Sequence, residues 1–123
     1  MLNMKNHFPF DVPRQEQTTA IDKALTAFLE NDKKFFILEA GTGVGKSAVG
    51  LTLGRILNEK LSFNDTFAKG SYFLTTQRVL QEQYENDFGH PNGKMSSVYS
   101  SKNYPCEYHK KNDCRTSQQM LRT

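Results

Sequence analysis

The stretch Glu39-Ala40-Gly41-Thr42-Gly43-Val44-Gly45-Lys46-Ser47 constrains the fold of this chain more than any other. It follows the apolar run Phe35-Phe36-Ile37-Leu38 and leads into Ala48-Val49-Gly50-Leu51. A run so short and so uniformly apolar reads as a buried strand of the parallel type. The glycines at 41, 43 and 45 then let the backbone turn tightly with its N–H groups pointing inward, where they hold an anion. A helix starting near Gly45 or Lys46 adds its unpaired amides and about half a positive elementary charge, aimed at the same point. Lys46 brings a full charge to the outer phosphates, and the Ser47 hydroxyl is placed to ligate a Mg²⁺ that bridges them. Ala40 stands where the G-x-x-x-x-G-K-[ST] pattern opens with Gly, so that pattern is met in a relaxed form. The bland alternative is a glycine-rich turn with no function; the order strand, loop, helix speaks against it.

At 123 residues the chain is a single domain or a piece of one, short for a complete nucleotide-driven motor. No run approaches the roughly 20 apolar residues that span a membrane. The start, Met1-Leu2-Asn3-Met4-Lys5-Asn6, lacks the apolar core of a signal peptide. A cytoplasmic monomer without membrane contact is therefore expected. The net charge of +3 is unevenly spread: residues 1–88 carry ten Lys/Arg against eleven Asp/Glu, and residues 89–123 carry six against two. A basic last third suits a phosphate backbone, and it suits a solvated surface equally well. Cys106 and Cys114 both lie there. In a cytosolic chain two nearby cysteines read as metal ligands or free thiols rather than a disulfide.

Periodicity lays out the rest. Pro13 fits the first turn of a helix running from Arg14 to about Glu30, with Ile21, Ala24, Leu25, Phe28 and Leu29 on its buried face. A second helix, from Ser47 to about Lys60, turns Val49, Leu53, Ile56 and Leu57 inward. A turn-rich segment from Ser62 to Gly70 leads to a second strand, Ser71-Tyr72-Phe73-Leu74-Thr75, which completes a parallel crossover. A third helix from Gln77 to Phe88 places Val79, Leu80 and Tyr84 inward and stops at Gly89, with Pro91 beyond. After Gly89 periodicity fails, and Gly93, the serines at 96, 97, 100 and 101 and the run Lys110-Lys111-Asn112-Asp113 suggest loops.

On these residues the cradle resembles the first ATPase motif of superfamily 2 helicases, in which an Ala commonly opens the loop. Arg14-Gln15-Glu16-Gln17 resembles the R-x-x-Q element of the XPD/DinG helicases, whose Gln reads the adenine edge. An amide suits that edge because it both donates and accepts; a polar face near a helix start is the plainer reading. Thr75-Thr76-Gln77-x-x-Leu80-x-x-Gln83 resembles the T-x-T-x-x-L-x-x-Q motif that grips the backbone of single-stranded DNA, although a simple helix cap has the same residue types. Lys102-Asn103-Tyr104-Pro105-Cys106 resembles the G-R-x-N-Y-x-C segment that delivers the first cysteine of the iron–sulfur insertion, with Ser100 and Ser101 where that family has Gly and Arg.

The resemblance implies an α/β P-loop NTPase fold, a RecA-like parallel sheet flanked by helices that forms part of a motor domain. It implies a motor part over residues 1–88 and the start of an iron–sulfur insertion over 89–123. The implied activity is ATP-dependent DNA helicase action, 5′ to 3′ on single-stranded DNA. Lys46 and Ser47 are then the catalytic residues. Arg14, Gln17, Gly41, Thr42, Gly43, Val44, Gly45, Lys46 and Ser47 hold ATP and Mg²⁺, and Thr75, Thr76 and Gln77 hold DNA. Cys106 and Cys114 become ligands of a [4Fe–4S] cluster, which takes four thiolates where this chain has two. Zinc on Cys106, His109 and Cys114, with His90 as a distant fourth ligand, is the alternative metal, and free thiols are the third reading. No Asp-Glu pair occurs, so the D-E-A-H box is missing, and the expectation is an N-terminal fragment inactive by itself. Two rivals stand beside this reading: another P-loop ATPase such as a clamp loader or kinase, and a non-catalytic nucleic-acid-binding module acting through the basic segment.

Overall fold

The computed structural model describes residues 4–61, 70–89, 95–110 and 112–122. The turn expected at 62–69, together with His90, Pro91, Gly93 and Lys111, lies outside the described residues. The chain divides into two compact units, Met1–Phe73 and Leu74–Thr123, so the boundary expected after residue 88 falls inside the second.

The first unit is built on two helices. Helix α1 spans Gln15–Leu25 and continues through a wider, π-type turn over Thr26–Glu30. Arg14 is its extended N-cap, so Pro13 precedes the cap instead of sitting in the first turn. The reason is local: the Gln17 side chain accepts the Arg14 backbone N–H at 2.8 Å and fixes the start of the helix there. Helix α2 spans Lys46–Lys60 from Gly45 as N-cap, as the glycine pattern predicts. Their apolar stripes meet in a core of Ile21, Leu25, Ala48, Val49 and Ile56, sealed by Phe8 from the leader. Leu53 and Leu57 pack on it half-buried, while Leu29 stays 37% exposed.

The two expected strands do not form ladders. Among the described residues the only backbone pairing of β type is an isolated antiparallel bridge between Pro105 and Asp113. Residues 35–40 nevertheless alternate, with Phe36, Leu38 and Ala40 half-buried between the exposed Phe35, Ile37 and Glu39. Leu38 packs on the core, and the Phe36 ring lies 6.3 Å from that of Phe28. Residues 72–75 repeat the alternation, with Phe73 and Thr75 half-buried and Tyr72 and Leu74 exposed. Phe73 lies against α2, where an added Cβ at Gly50 would touch its ring at 3.5 Å and one at Gly54 would meet the Ser71 hydroxyl at 2.7 Å. Gly54 thus lets Ser71 approach α2 closely. A parallel strand is buried on both faces, and here Phe35, Ile37, Tyr72 and Leu74 remain 87–95% exposed. With one face bare, ladder closure gains too little burial to offset the ordering entropy of the backbone.

In the second unit α3 spans Arg78–Tyr84 and runs on as a π-type turn over Glu85–Gly89, ending at the expected glycine. Its expected inward face is only partly so: Val79 is 71% and Leu80 38% exposed, and Tyr84 instead packs its ring 5.9 Å from Phe88. Beyond it, where loops were expected, a short 3₁₀ turn covers Ser101–Asn103 and a helix, α4, covers Cys114–Leu121. Asp113 caps α4 by accepting the Thr116 N–H at 2.8 Å and the Thr116 hydroxyl at 3.0 Å.

Candidate functional site

The glycine-rich loop between Leu38 and α2 is held from two sides. Gly43 and Gly45 take left-handed φ angles of 80° and 78°, which only glycine adopts without strain. Gly41 and Gly43 are exposed, with nothing within 4 Å of an added Cβ, so the loop is open on that side. At Gly45 an added Cβ would lie 2.5 Å from Gln17 Nε2. This glycine is therefore needed for its angle and for the room it leaves.

Arg14 and Gln17, which the sequence pattern links to a base, act here on the loop itself. Arg14 Nη1 donates to the Gly43 carbonyl at 3.0 Å, and Gln17 Nε2 donates to the Val44 carbonyl at 2.9 Å. Because a trans peptide points its N–H opposite to its C=O, holding these two carbonyls also sets the direction of the Val44 and Gly45 amides. Gln17 is only 6% exposed and bonded at both ends of its amide. An amide group has two donors and two acceptor lone pairs, so one of each is still open to a further partner.

Lys46, the first residue of α2, turns its ammonium back to the loop and donates to the carbonyls of Ala40 at 3.0 Å and Gly41 at 2.9 Å. Those acceptors are neutral, whereas a phosphate oxygen is charged and attracts an ammonium more strongly. Lys46 thus keeps its charge at the loop. Ser47 follows on the first turn of α2, half-buried. Left-handed glycines, a helix N-terminus, a mobile cation and a hydroxyl are together the donor set that triphosphate and Mg²⁺ need.

A family comparison matches the type III restriction enzyme res subunit family over residues 11–121. The chain belongs to that family. It is a family of the superfamily 2 helicases and ATPases, so membership carries the P-loop NTPase fold and a helicase-like ATPase motor, with ATP, Mg²⁺ and nucleic acid as its ligands. No curated protein and no solved structure matches the chain.

The other residues expected from the sequence to form sites lie in the second unit of this res-type chain. Thr75 Oγ1 accepts the Gln77 N–H at 3.4 Å, a local turn that leads into α3, and Thr76 and Gln77 are exposed. Arg78, an unspecified position of the T-x-T-x-x-L-x-x-Q pattern, ties this segment to the next. Its Nε donates to Glu82 at 2.8 Å, its Nη1 donates to Asn103 Oδ1 at 3.1 Å, and its guanidinium lies 5.4 Å from the Tyr99 ring centroid.

Cys106 and Cys114 are free, half-buried thiols. Both line a cavity of about 390 Å³ together with His109, Ser117 and Leu121. The Ser117 hydroxyl, beside the sulfur, and the backbone N–H of His109, 3.4 Å from it, hold the Cys106 thiol down at about 7. Among the described residues no three His, Cys, Asp or Glu side chains stand together as a metal-holding group. The described residues therefore lend no support to the [4Fe–4S] or three-ligand zinc expectation, and His90 lies outside them. Described residues include no helix long and apolar enough to cross a membrane.

Proposed function

We propose that this chain is the ATP-binding half of a DNA helicase motor of the XPD/DinG kind, working 5′ to 3′ on single-stranded DNA. The observation that carries the reading is the braced loop, in which Arg14 and Gln17 hold Gly43 and Val44 while Lys46 waits on Ala40 and Gly41. R-x-x-Q and the glycine loop are 29 and 27 residues apart in the chain yet bonded directly, as a shared nucleotide site requires. The uniformly apolar run Phe35-Phe36-Ile37-Leu38 before the loop is the feature that favours a strand of a RecA-like parallel sheet.

In this reading the amides of residues 41–45 and Lys46 take the phosphates, Ser47 takes Mg²⁺, and the open donor and acceptor of Gln17 face the base. Thr75, Thr76 and Gln77 contact the sugar–phosphate backbone, through groups that carry no sequence information. Bound ATP supplies the phosphoryl-transfer free energy; the chain's own part is to orient the phosphates and neutralise their charge. Cys106 and Cys114 supply two of the four thiolates that the iron–sulfur portion of the resemblance calls for.

The test is a titration of the chain with a fluorescent ATP analogue in Mg²⁺, and a second with a labelled single-stranded oligonucleotide. Lys46→Ala should weaken nucleotide binding by at least about tenfold, the loss of one charge-assisted contact. Thr75→Ala with Gln77→Ala should weaken DNA binding and leave nucleotide binding intact. Nucleotide affinity unchanged in Lys46→Ala would remove the cradle assignment, and duplex bound as tightly as single strand would remove the substrate.

A further inference from the structure

Helix α3 has seven residues, too few for an isolated helix to persist in water. Its aliphatic residues do little to hold it, since Val79 is 71% and Leu80 38% exposed. The half-buried positions of α3 and its π-type continuation are instead Gln81, Tyr84, Glu85 and Phe88, whose spacing of i, i+3, i+4 and i+7 marks one side of a helix. The stretch 95–100 meets that side, with Met95, Ser97 and Tyr99 half-buried between the exposed Ser96, Val98 and Ser100. Gln81 Nε2 donates to the Val98 carbonyl at 3.2 Å, and the Tyr99 hydroxyl donates to Glu85 Oε2 at 3.2 Å. A polar seam thus holds α3 to this stretch.

Arg78 closes the seam at the end nearest the Thr75–Gln77 turn. Its Nη1 donates to Asn103 Oδ1 at 3.1 Å, its Nε donates to Glu82 Oε1 at 2.8 Å, and its guanidinium carbon lies 5.4 Å from the Tyr99 ring centroid. The acceptor is itself fixed, because Asn103 Nδ2 donates to the Ser100 carbonyl at 3.2 Å and to the Ser100 hydroxyl at 2.9 Å. A planar guanidinium held by two bonds and a ring has one orientation, which an ammonium on a flexible stem does not reproduce. Exposed bonds of this kind add little stability. What they fix is geometry: Arg78 directly follows Gln77, and the turn's own bond, from the Gln77 N–H to Thr75 Oγ1, is long at 3.4 Å.

We infer that Arg78 is a positioning residue for single-stranded DNA, holding the Thr75–Gln77 turn in place through Asn103 and Tyr99, an inference that rests on the reading of that turn as the DNA contact. Arg78 does not act on the strand by its charge, which the Glu82 carboxylate offsets. Its part is to present Thr75, Thr76 and Gln77 already ordered, so that binding does not bear the cost of ordering them. With the Arg78 side chain cut back, Gln81 and Glu85 still hold the far end of α3, while its first turn, and Gln77 with it, loses its anchor.

The experiment titrates the full chain with labelled oligothymidylate at several salt concentrations, with urea denaturation and circular dichroism of each variant alongside. Arg78→Ala, Arg78→Lys and Asn103→Ala should each weaken binding by roughly three- to tenfold, with helix content and urea midpoint near wild type. Combining Arg78→Ala with Asn103→Ala should cost no more than Arg78→Ala alone, since the bond is already gone. Arg78→Lys keeps the charge, so its salt dependence should match that of wild type. A direct phosphate ligand behaves otherwise: lysine restores the affinity, and alanine lowers the salt slope by about 0.7. That pattern, additive losses in the double variant, or helix content lost in step with affinity would each overturn the proposal. Thr75→Ala with Gln77→Ala separates the two readings. Weakened binding there beside unchanged binding in Arg78→Ala removes the role of Arg78 and leaves the DNA contact standing, whereas unchanged binding in both removes the contact and the role together.

Discussion

Gln17 Nε2 donates to the Val44 carbonyl at 2.9 Å while Gln17 Oε1 accepts the Arg14 backbone N–H at 2.8 Å. One side chain thus caps α1 and braces the glycine loop. Removing it frees two backbone groups and lets the Val44 peptide rotate, so the amides lose their alignment before any phosphate arrives. Gln17→Ala should weaken ATP binding by about tenfold, roughly 1.4 kcal/mol, the size of one bracing hydrogen bond. A nucleotide titration of the variant checks this, and wild-type affinity would show that the loop holds its shape unaided.

Ile56 is fully buried in the core between α1 and α2, whereas Val79 on α3 is 71% exposed. Ile56→Ala should lower stability by about 2–5 kcal/mol, the transfer and cavity cost of a core aliphatic. Val79→Ala should stay within about 0.5 kcal/mol, as for a surface change. Urea denaturation of both variants decides the matter, and comparable losses would mean that α3 has a buried face after all.

Asp113 accepts the N–H and hydroxyl of Thr116, and the N–H above all holds its carboxyl below the usual carboxylate range. A folded value lower than the unfolded one adds stability that is present above the unfolded value, about pH 4 for Asp, and is lost as pH falls through the folded value. Protection of the Thr116 amide against hydrogen exchange should therefore fall on acidification below that range. Asp113→Asn keeps an acceptor without the charge and should flatten the dependence. An identical acid profile in the variant would place the titrating group elsewhere.

Much of the first unit was legible in advance because its signals are local. The spacing of Ile21, Ala24 and Leu25 announces α1, and that of Val49 and Ile56 announces α2, since a 3.6-residue period depends on no distant partner. The left-handed angles at Gly43 and Gly45 follow from glycine alone among the residue types. Helix α4 was not legible, because Cys114, Ser117 and Leu121 make a thin apolar stripe and its strongest signal is the cap pair Asp113 and Thr116. The inward face assigned to Val79 and Leu80 was misread, since periodicity marks a stripe and not what covers it.

The sequence by itself determined the helices of the first unit, the turn at the glycine loop and membership of the superfamily 2 helicases and ATPases, all of which rest on short-range residue patterns. Only the tertiary structure decided what Arg14 and Gln17 touch, because a side chain nearly thirty residues from the loop reaches it solely through the packing of α1 on α2. It likewise decided that residues 35–40 and 72–75 run with alternating burial yet without a ladder, since a strand completes its hydrogen bonds only with a neighbouring strand at its edge. Cys106 and Cys114 share one cavity for the same kind of reason: the Pro105–Asp113 register, absent from any spacing rule, turns both sulfurs to one face.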